Sequence, residues 1–232
     1  ARLYAATRPS MMEWGCALEH TPKCIQTVRA VMMLPIVTGN IDVPGGWSFG
    51  MHALGKFPHL YETMPEAQQA KRLGSDKFKV LGAEGSTLPS AHIATIFKAM
   101  RTGDPYWVKA GLIFGNNALA TYANSRQVYD SLTKLDLLVV ADLYMTPTAE
   151  IADIVLPAAS WAELDQVVGV PFVAQNVVLA QQKTVQVGEC RQDELIMCEL
   201  ARKLGLEHGT ETPEQVFDEQ LGQVLGITFE EL

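Results

Sequence analysis

Apolar residues along this chain follow two alternating rhythms. Between Ser90 and Arg101, Ile93, Ile96, Phe97 and Met100 recur three or four positions apart, which predicts a helix with one buried face. The next run, VKAGLIF over Val108–Phe114, is short and nearly continuous, which predicts a strand. A helical pattern returns over Tyr122–Lys134. It is followed by LLVV, Leu137–Val140, which has no polar alternate and so predicts a strand buried on both faces. Glu150–Asp153 reads as a turn or short helix, and Ile154–Leu156 as a third strand. Val177–Leu179 and Thr184–Val187 suit a small hairpin or edge strands. Asp193–Leu204 is predicted helical, closed by Gly205 just past its end, and Pro213–Leu225 forms a last helix.

Strands that are apolar throughout, separated by helices, indicate an α/β fold. The expected form is a doubly wound, mostly parallel sheet with helices on both faces, Rossmann-like, preceded by an irregular N-terminal part. In that part Pro22–Val37 is predicted helical, with Thr21 as N-cap and Pro35 bending or ending it. GNIDVPGGW then breaks into a loop. Residues 50–90 lack a clear rhythm apart from a short helical candidate, PEAQQAKRLG. The expected division is residues 1–90, belonging partly to an adjoining domain, and residues 91–232, the Rossmann-like domain.

Charge narrows the function. With 26 acidic against 18 basic residues, the net charge is −8. This disfavours nucleic-acid binding through phosphate neutralisation. It leaves room for a bound nucleotide, which needs backbone N–H groups and a few side chains. Cys16, Cys24, Cys190 and Cys198 form no CxxC pair and no metal-ligand spacing, so buried free thiols are expected. The longest apolar run, Ala30–Thr38, is too short to span a bilayer, and no membrane contact is expected. The chain opens ARLYAATRPS, without a signal-peptide pattern and without Met, as if cut from something longer.

Candidate chemistry gathers where a parallel sheet presents its carboxyl-terminal rim. Gly115-Asn116-Asn117 follows the first strand and precedes a helix, so it reads either as a phosphate cradle or as a plain turn and cap. GxGxxG is absent, which disfavours NAD. Asp142 closes the second strand, where it can take donors from a base edge or cap the turn. Thr146 and Thr148 suit that turn, and Asp153 reads as structural. Glu163, as a lone acid, reads as a solvated loop residue or a rim group, and Asp193 as a helix-start acid. Glu13, Gly15, Glu19, His20 and Lys23 form a mixed polar cluster ahead of a helix, with His20 either a candidate proton carrier or a hydrogen-bonded structural residue.

In order, these segments resemble the molybdopterin oxidoreductases of the dimethyl sulfoxide reductase type. WGCALEHTPKCIQTVRAVMMLPIVTGNIDVPGGW is similar to that family's Gly-containing segment, helix and TGNIG-PGG loop. LIFGNNALATYANSRQVYDSLTKLDLLVVADLYMTPTAEIADIVLPAASWAELD is similar to its G-N-P, VVV-D, TETA-ADVVLP and W-E run. ECRQDELIMCELARKLGLE is similar to the helix that follows. The resemblance implies the middle α/β domain of a catalytic subunit, with residues 91–232 as its cofactor-binding part. That domain holds one of two molybdopterin guanine dinucleotides carrying molybdenum or tungsten. By resemblance Gly115 and Asn116 lie at the dinucleotide, Asp142 grips guanine, Gly15 and Glu19 lie toward the pterin, and Glu163 and Asp193 lie near the nucleotide rim. No metal ligand is assigned within this chain. An iron–sulfur cluster belongs, by resemblance, to a region outside it. The implied partners are the remaining domains of the same subunit and an iron–sulfur electron-transfer subunit. The chain departs from the pattern at Glu19 (Gln in many members), at Asn117-Ala118 where a Pro is expected, and at Asp42, which replaces a Gly. The competing reading is a non-catalytic, Rossmann-like nucleotide-binding or interaction domain.

Overall fold

A computed structural model of the chain describes residues 1–47, 65–78, 90–169, 178–207, 209 and 211–232. Two compact units are present: Ala1–Gly55 with Val168–Leu179, and Lys56–Val167 with Ala180–Leu232. Most of the irregular stretch expected over residues 50–90 lies outside the described residues.

The first unit holds α1 (Arg2–Ala6), α2 (Cys16–Glu19) and α3 (Cys24–Thr38). α3 starts two residues later than the Pro22 start expected, with Lys23 rather than Thr21 as its N-cap. Pro35 sits within the helix, which runs on to Gly39. There φ of 67° and backbone bonds from Gly39 N to Ile36 O and from Asn40 N to Pro35 O close it. α3 carries apolar residues beyond a single face, and Ile25, Met33, Ile36 and Val37 are exposed.

The loop after α3 is organised by Asn40, which is 1% exposed. Its Oδ1 accepts from Ser10 N (3.1 Å), its Nδ2 donates to Thr38 Oγ1 (2.9 Å), and its carbonyl accepts from Trp47 N (2.8 Å). Gly46 packs so closely that a Cβ would come within 2.8 Å of the Asn40 carbonyl oxygen. Asp42 has φ of 55°, in the left-handed region that favours glycine. The family pattern's Gly at this position therefore has a backbone reason.

The second unit opens with α4 (Glu66–Gln69), a single turn from the PEAQQAKRLG candidate. There follow α5 (Ile93–Thr102), β1 (Ala110–Phe114), α6 (Ala118–Thr121), α7 (Ser125–Leu132), β2 (Leu137–Asp142), α8 (Pro147–Glu150) and β3 (Ile154–Pro157). β4 (Gln166–Gly169) and β5 (Val178–Gln181) form a two-stranded sheet where the chain passes between units. α9 (Asp193–Lys203) and α10 (Pro213–Val224) complete the unit. No described helix is long and apolar enough to cross a membrane.

Strands β1, β2 and β3 are parallel neighbours in that order, as the apolar runs require. The register aligns Ile113 with Val140 and Val155, and Leu112 with Val139 and Ile154. Leu138 and Val140 are 2% and 0% exposed and pack with Phe97, Met100, Ala118, Val128, Leu132 and Ala149. This face is sealed by α5, α6, α7 and α8. On the other face Leu156 lines a cleft of about 380 Å³ with Ile196 and Leu200 of α9. Helices therefore stand on both sides. The second side is only partly covered, since Leu112 and Ile154 remain 42% and 47% exposed.

Further elements differ from expectation: α8 covers Pro147–Glu150 rather than Glu150–Asp153, and two more change. The helix predicted over Tyr122–Lys134 is shorter, Ser125–Leu132, with a separate turn of helix ahead of it. α6 is one turn, Tyr122 is extended, and α7 starts at Ser125. Asn124, with φ of 62°, caps α7 by accepting from Gln127 N (3.2 Å). Thr184–Val187 is not a strand; the N–H groups of Thr184 and Val185 donate to the Ala162 carbonyl. β5 pairs with β4 instead, and Val177 lies outside the described residues.

Candidate cofactor site

Parallel strands end together on one rim, and ligands of open α/β sheets bind beyond such ends. β1 ends into Gly115, whose N–H donates to Ala141 O (2.9 Å) and extends the ladder by one bond. Its φ of 54° turns the chain sharply out of the strand. A Cβ there would meet nothing within 4 Å, so the backbone angle is what favours glycine.

The two asparagines after it are committed to holding the rim together. Asn116 donates from Nδ2 to Tyr122 Oη (3.3 Å) and accepts at Oδ1 from Thr121 Oγ1 (3.2 Å). Asn117 accepts from Thr148 Oγ1 (2.9 Å), and Thr148 Oγ1 accepts from Leu119 N (3.0 Å). Thr148 is fully buried, so this pair ties the loop after β1 to the turn after β2. α6 is only four residues long, so little helix dipole stands behind Asn116.

Asp142 ends β2 and does part of what a turn acid does. Its Oδ1 accepts from Leu143 N (2.7 Å) and Tyr144 N (3.4 Å). Its Oδ2 accepts no hydrogen bond among the described residues. The turn beyond it exposes Leu143, Tyr144 and Met145, and Trp161 is exposed after β3. Thr146 caps α8 by accepting from Ala149 N (3.3 Å), and Asp153 accepts from Leu138 N (2.7 Å).

Asp193 opens α9, and its Oδ1 is buried with no hydrogen-bond partner among the described residues. Burial raises its pKa above the ordinary carboxylate value, and the charges of Glu194 and Asp142 add to the rise. Two acids from separate elements thus repel each other at the rim, and one of them holds an unused buried acceptor. A donor-rich ligand edge is what such a pair lacks.

Glu163 differs from the solvated loop acid expected: it is 9% exposed and saturated. Oε2 accepts from Ser160 N (3.0 Å) and Ser160 Oγ (2.7 Å); Oε1 accepts from Val187 N (2.8 Å) and Cys190 Sγ (2.8 Å). The Cys190 thiol is the largest of the donors that bring its pKa down to about 2. The same contact pushes the Cys190 thiol up. Ser160-Trp-Ala-Glu163 is a Ser-x-x-Glu capping box around a 3-10 turn, a signal available in the sequence but not used there.

In the first unit Gly15 is the N-cap of α2, in extended backbone with open space at its Cβ position. Glu19 accepts from Trp14 Nε1 (3.0 Å), and Trp14 lies against Trp47 at 4.6 Å between ring centroids. His20 is exposed and caps α2 through its backbone N–H. All four cysteines are free thiols, but only Cys190 and Cys198 are buried. Cys16 is exposed at the start of α2 and Cys24, half-buried, opens α3, so the burial expected of these thiols holds for the second pair and not the first.

Residues 3–203 match the molybdopterin oxidoreductase family. Among curated relatives, acetylene hydratase of Syntrophotalea acetylenica is 28% identical over 89% of this chain and 31% of its own length. Dopamine dehydroxylase of Eggerthella lenta is 31% identical over 88% of this chain and 21% of its own length. Formate dehydrogenase H of Escherichia coli K12 is 28% identical over 94% of this chain and 31% of its own length. The solved structure of acetylene hydratase from Pelobacter acetylenicus superposes with a TM-score of 0.79 at 25% identity, over 99% of this chain and 35% of that one. The chain spans a third or less of the length of these relatives. Its parallel α/β sheet, the order of its segments and the extent of the match agree: this chain belongs to the molybdopterin oxidoreductase family, whose enzymes work with molybdenum or tungsten on a pterin.

Proposed function

We propose that this chain is a cofactor-cradling portion of the catalytic subunit of a molybdenum or tungsten enzyme, and that its rim grips the guanine end of a molybdopterin guanine dinucleotide. The observation that carries this reading is the pair Asp142 and Asp193. Among the described residues, Oδ2 of Asp142 accepts no hydrogen bond and the buried Oδ1 of Asp193 has no partner. Guanine presents N1–H and N2–H₂ side by side, and ionised carboxylates are acceptor-only partners for them. Leu143, Tyr144, Met145 and Trp161 supply exposed apolar and aromatic surface around the acids, suited to a purine face.

Each residue has a distinct part. Gly115 turns the chain away from the strand end so that the dinucleotide can approach the backbone. Asn116 acts through its main chain, its side chain being engaged with Thr121 and Tyr122. Asp142 and Asp193 receive the base. Gly15 and Glu19 are assigned to the pterin side by family resemblance alone, and His20 is given no catalytic step. The bound metal supplies the electron or Lewis-acid chemistry. This chain's residues bind and orient the cofactor. Relatives named for a hydratase, a dehydroxylase and a dehydrogenase share this segment, which fits a role toward cofactor rather than substrate. The remaining partners are further domains of the subunit and an iron–sulfur electron-transfer subunit. Some relatives are named as alpha subunits, which supports the presence of other chains.

The test is Asp142→Asn in the full-length protein. An amide nitrogen facing a donor costs about 1–3 kcal/mol, so metal and releasable guanine nucleotide per folded molecule should fall about tenfold. Circular dichroism controls for folding. Unchanged nucleotide content in a folded variant would reduce Asp142 to its role in the turn.

A further inference from the structure

Glu163 is the best-satisfied acid on the rim, and nothing assigned so far explains why it is an acid. A capping box needs one oxygen, and Oε2 already serves Ser160 through both N–H and O–H. Glutamine would do that equally well. Oε1 reaches in the other direction, to Val187 N–H and the Cys190 thiol, on a different stretch of chain 24 and 27 residues away in sequence. Two donors on each side demand a group that accepts on both sides. Only a carboxylate does this, since an amide turned either way sets its NH₂ against a backbone N–H, that of Ser160 or that of Val187.

The stretch that Glu163 holds leads straight to the rim. Thr184 N and Val185 N donate to the Ala162 carbonyl, and Gln186 Nε2 closes the turn on Cys190 O (2.9 Å). One residue on, Arg191 pairs with the end of β3: Arg191 N donates to Pro157 O (3.0 Å) and Ala159 N to Arg191 O (2.8 Å). Gln192, buried, donates from Nε2 to Asp165 O (3.0 Å). The next residue is Asp193. From Glu163 to the buried acceptor beside Asp142 the path is thus continuous: carboxylate, Cys190, paired Arg191, anchored Gln192, Asp193.

We infer that Glu163 is a positioning residue for cofactor binding: as a carboxylate it locks residues 184–190 to the turn after β3 and so fixes Asp193 beside Asp142. The inference rests on the reading of that pair as the guanine contact. It gives Glu163 an indirect role in place of direct contact with the nucleotide. Cys190 shares the role as a hydrogen-bond donor, not as a nucleophile.

Three variants of the full-length protein test it: Glu163→Gln, Cys190→Val and Cys190→Ser, with Asp142→Asn alongside. The measurements are guanine nucleotide released per folded molecule and the rate at which iodoacetamide labels Cys190, mapped by mass spectrometry. Glu163→Gln should lower nucleotide content about tenfold and speed labelling of Cys190, whose thiol loses the partner that holds its proton. Cys190→Val, nearly isosteric and without a donor, should also lower nucleotide content, and Cys190→Ser, which restores a donor, should recover it. That recovery is a result a packing role alone does not produce. If Glu163→Gln does not fold, the two Cys190 variants decide between the alternatives. Full nucleotide content in both Glu163→Gln and Cys190→Val, with Asp142→Asn depleted, would overturn the positioning role and leave the guanine reading intact. Full content in all variants, Asp142→Asn included, would overturn both.

Discussion

Asp193 and Glu163 show how two acids thirty residues apart take opposite stances toward pH. Asp193 binds its proton more tightly in the folded chain than in the unfolded one, because its charge is buried beside Glu194 and Asp142. Its ionisation therefore opposes folding, and stability falls as pH rises from the ordinary value of 3.8 through the raised one. Asp193→Asn should leave the cofactor-free protein equally or more heat-stable above that window, while lowering nucleotide retention. A lower Tm together with full retention would remove Asp193 from the site. Glu163 has the reverse sign. Its pKa falls from 4.5 to about 2, so its contribution is complete above 4.5 and is lost as pH drops toward 2. Glu163→Gln should flatten the acid limb of a Tm-against-pH curve, and an unchanged limb would show that its hydrogen bonds do not persist in solution. The sequence exposed these residues unequally. Asp142 stood out because it ends an apolar run. Glu163 looked solitary because its partners Val187 and Cys190 are distant in sequence, and only Ser160 was near enough to give a local sign.

Elements were most legible where burial is strongest. LLVV could be read as a strand because Leu138 and Val140 enter one core and leave no polar alternate. What the apolar run could not indicate was how completely each face would be covered, since that depends on which other elements pack there. The two faces should respond differently to truncation. Leu138→Ala opens a cavity in the sealed face and should cost about 2–5 kcal/mol. Leu112→Ala, on the half-exposed face, should cost well under that, and equal losses in denaturant titrations would contradict the burial described. Thr148→Val deletes both bonds that join the rim loops and strands the Leu119 N–H and Asn117 Oδ1, at about 1–3 kcal/mol. The later start of α7, at Ser125 rather than Tyr122, escaped the sequence reading because Tyr122 stands as an apolar residue ahead of Val128 and Leu132. Asn124 was the available sign, being a residue suited both to left-handed backbone and to an N-cap.

For the whole molecule, the family was legible from the order of segments rather than from any one motif, because Gly-Asn, Val-Val-x-Asp and the following helix are each common alone. The match over residues 3–203 leaves nothing in favour of a non-catalytic interaction module. The sheet order also has a practical consequence. β1 is an outer strand, and on its unsealed side Leu112, Val139 and Ile154 run in one row across all three strands. An outer strand with an apolar row beside it is a template for pairing with a neighbouring copy, and charged side chains are the usual remedy. A recombinant protein consisting of these 232 residues alone should therefore self-associate as its concentration rises, and Leu112→Lys should keep it dispersed in light scattering without loss of helicity. The same row marks a place for a crystallographer or protein engineer to look when handling this polypeptide by itself: one face of one sheet bears on its solubility and can be altered without touching the residues assigned to the cofactor.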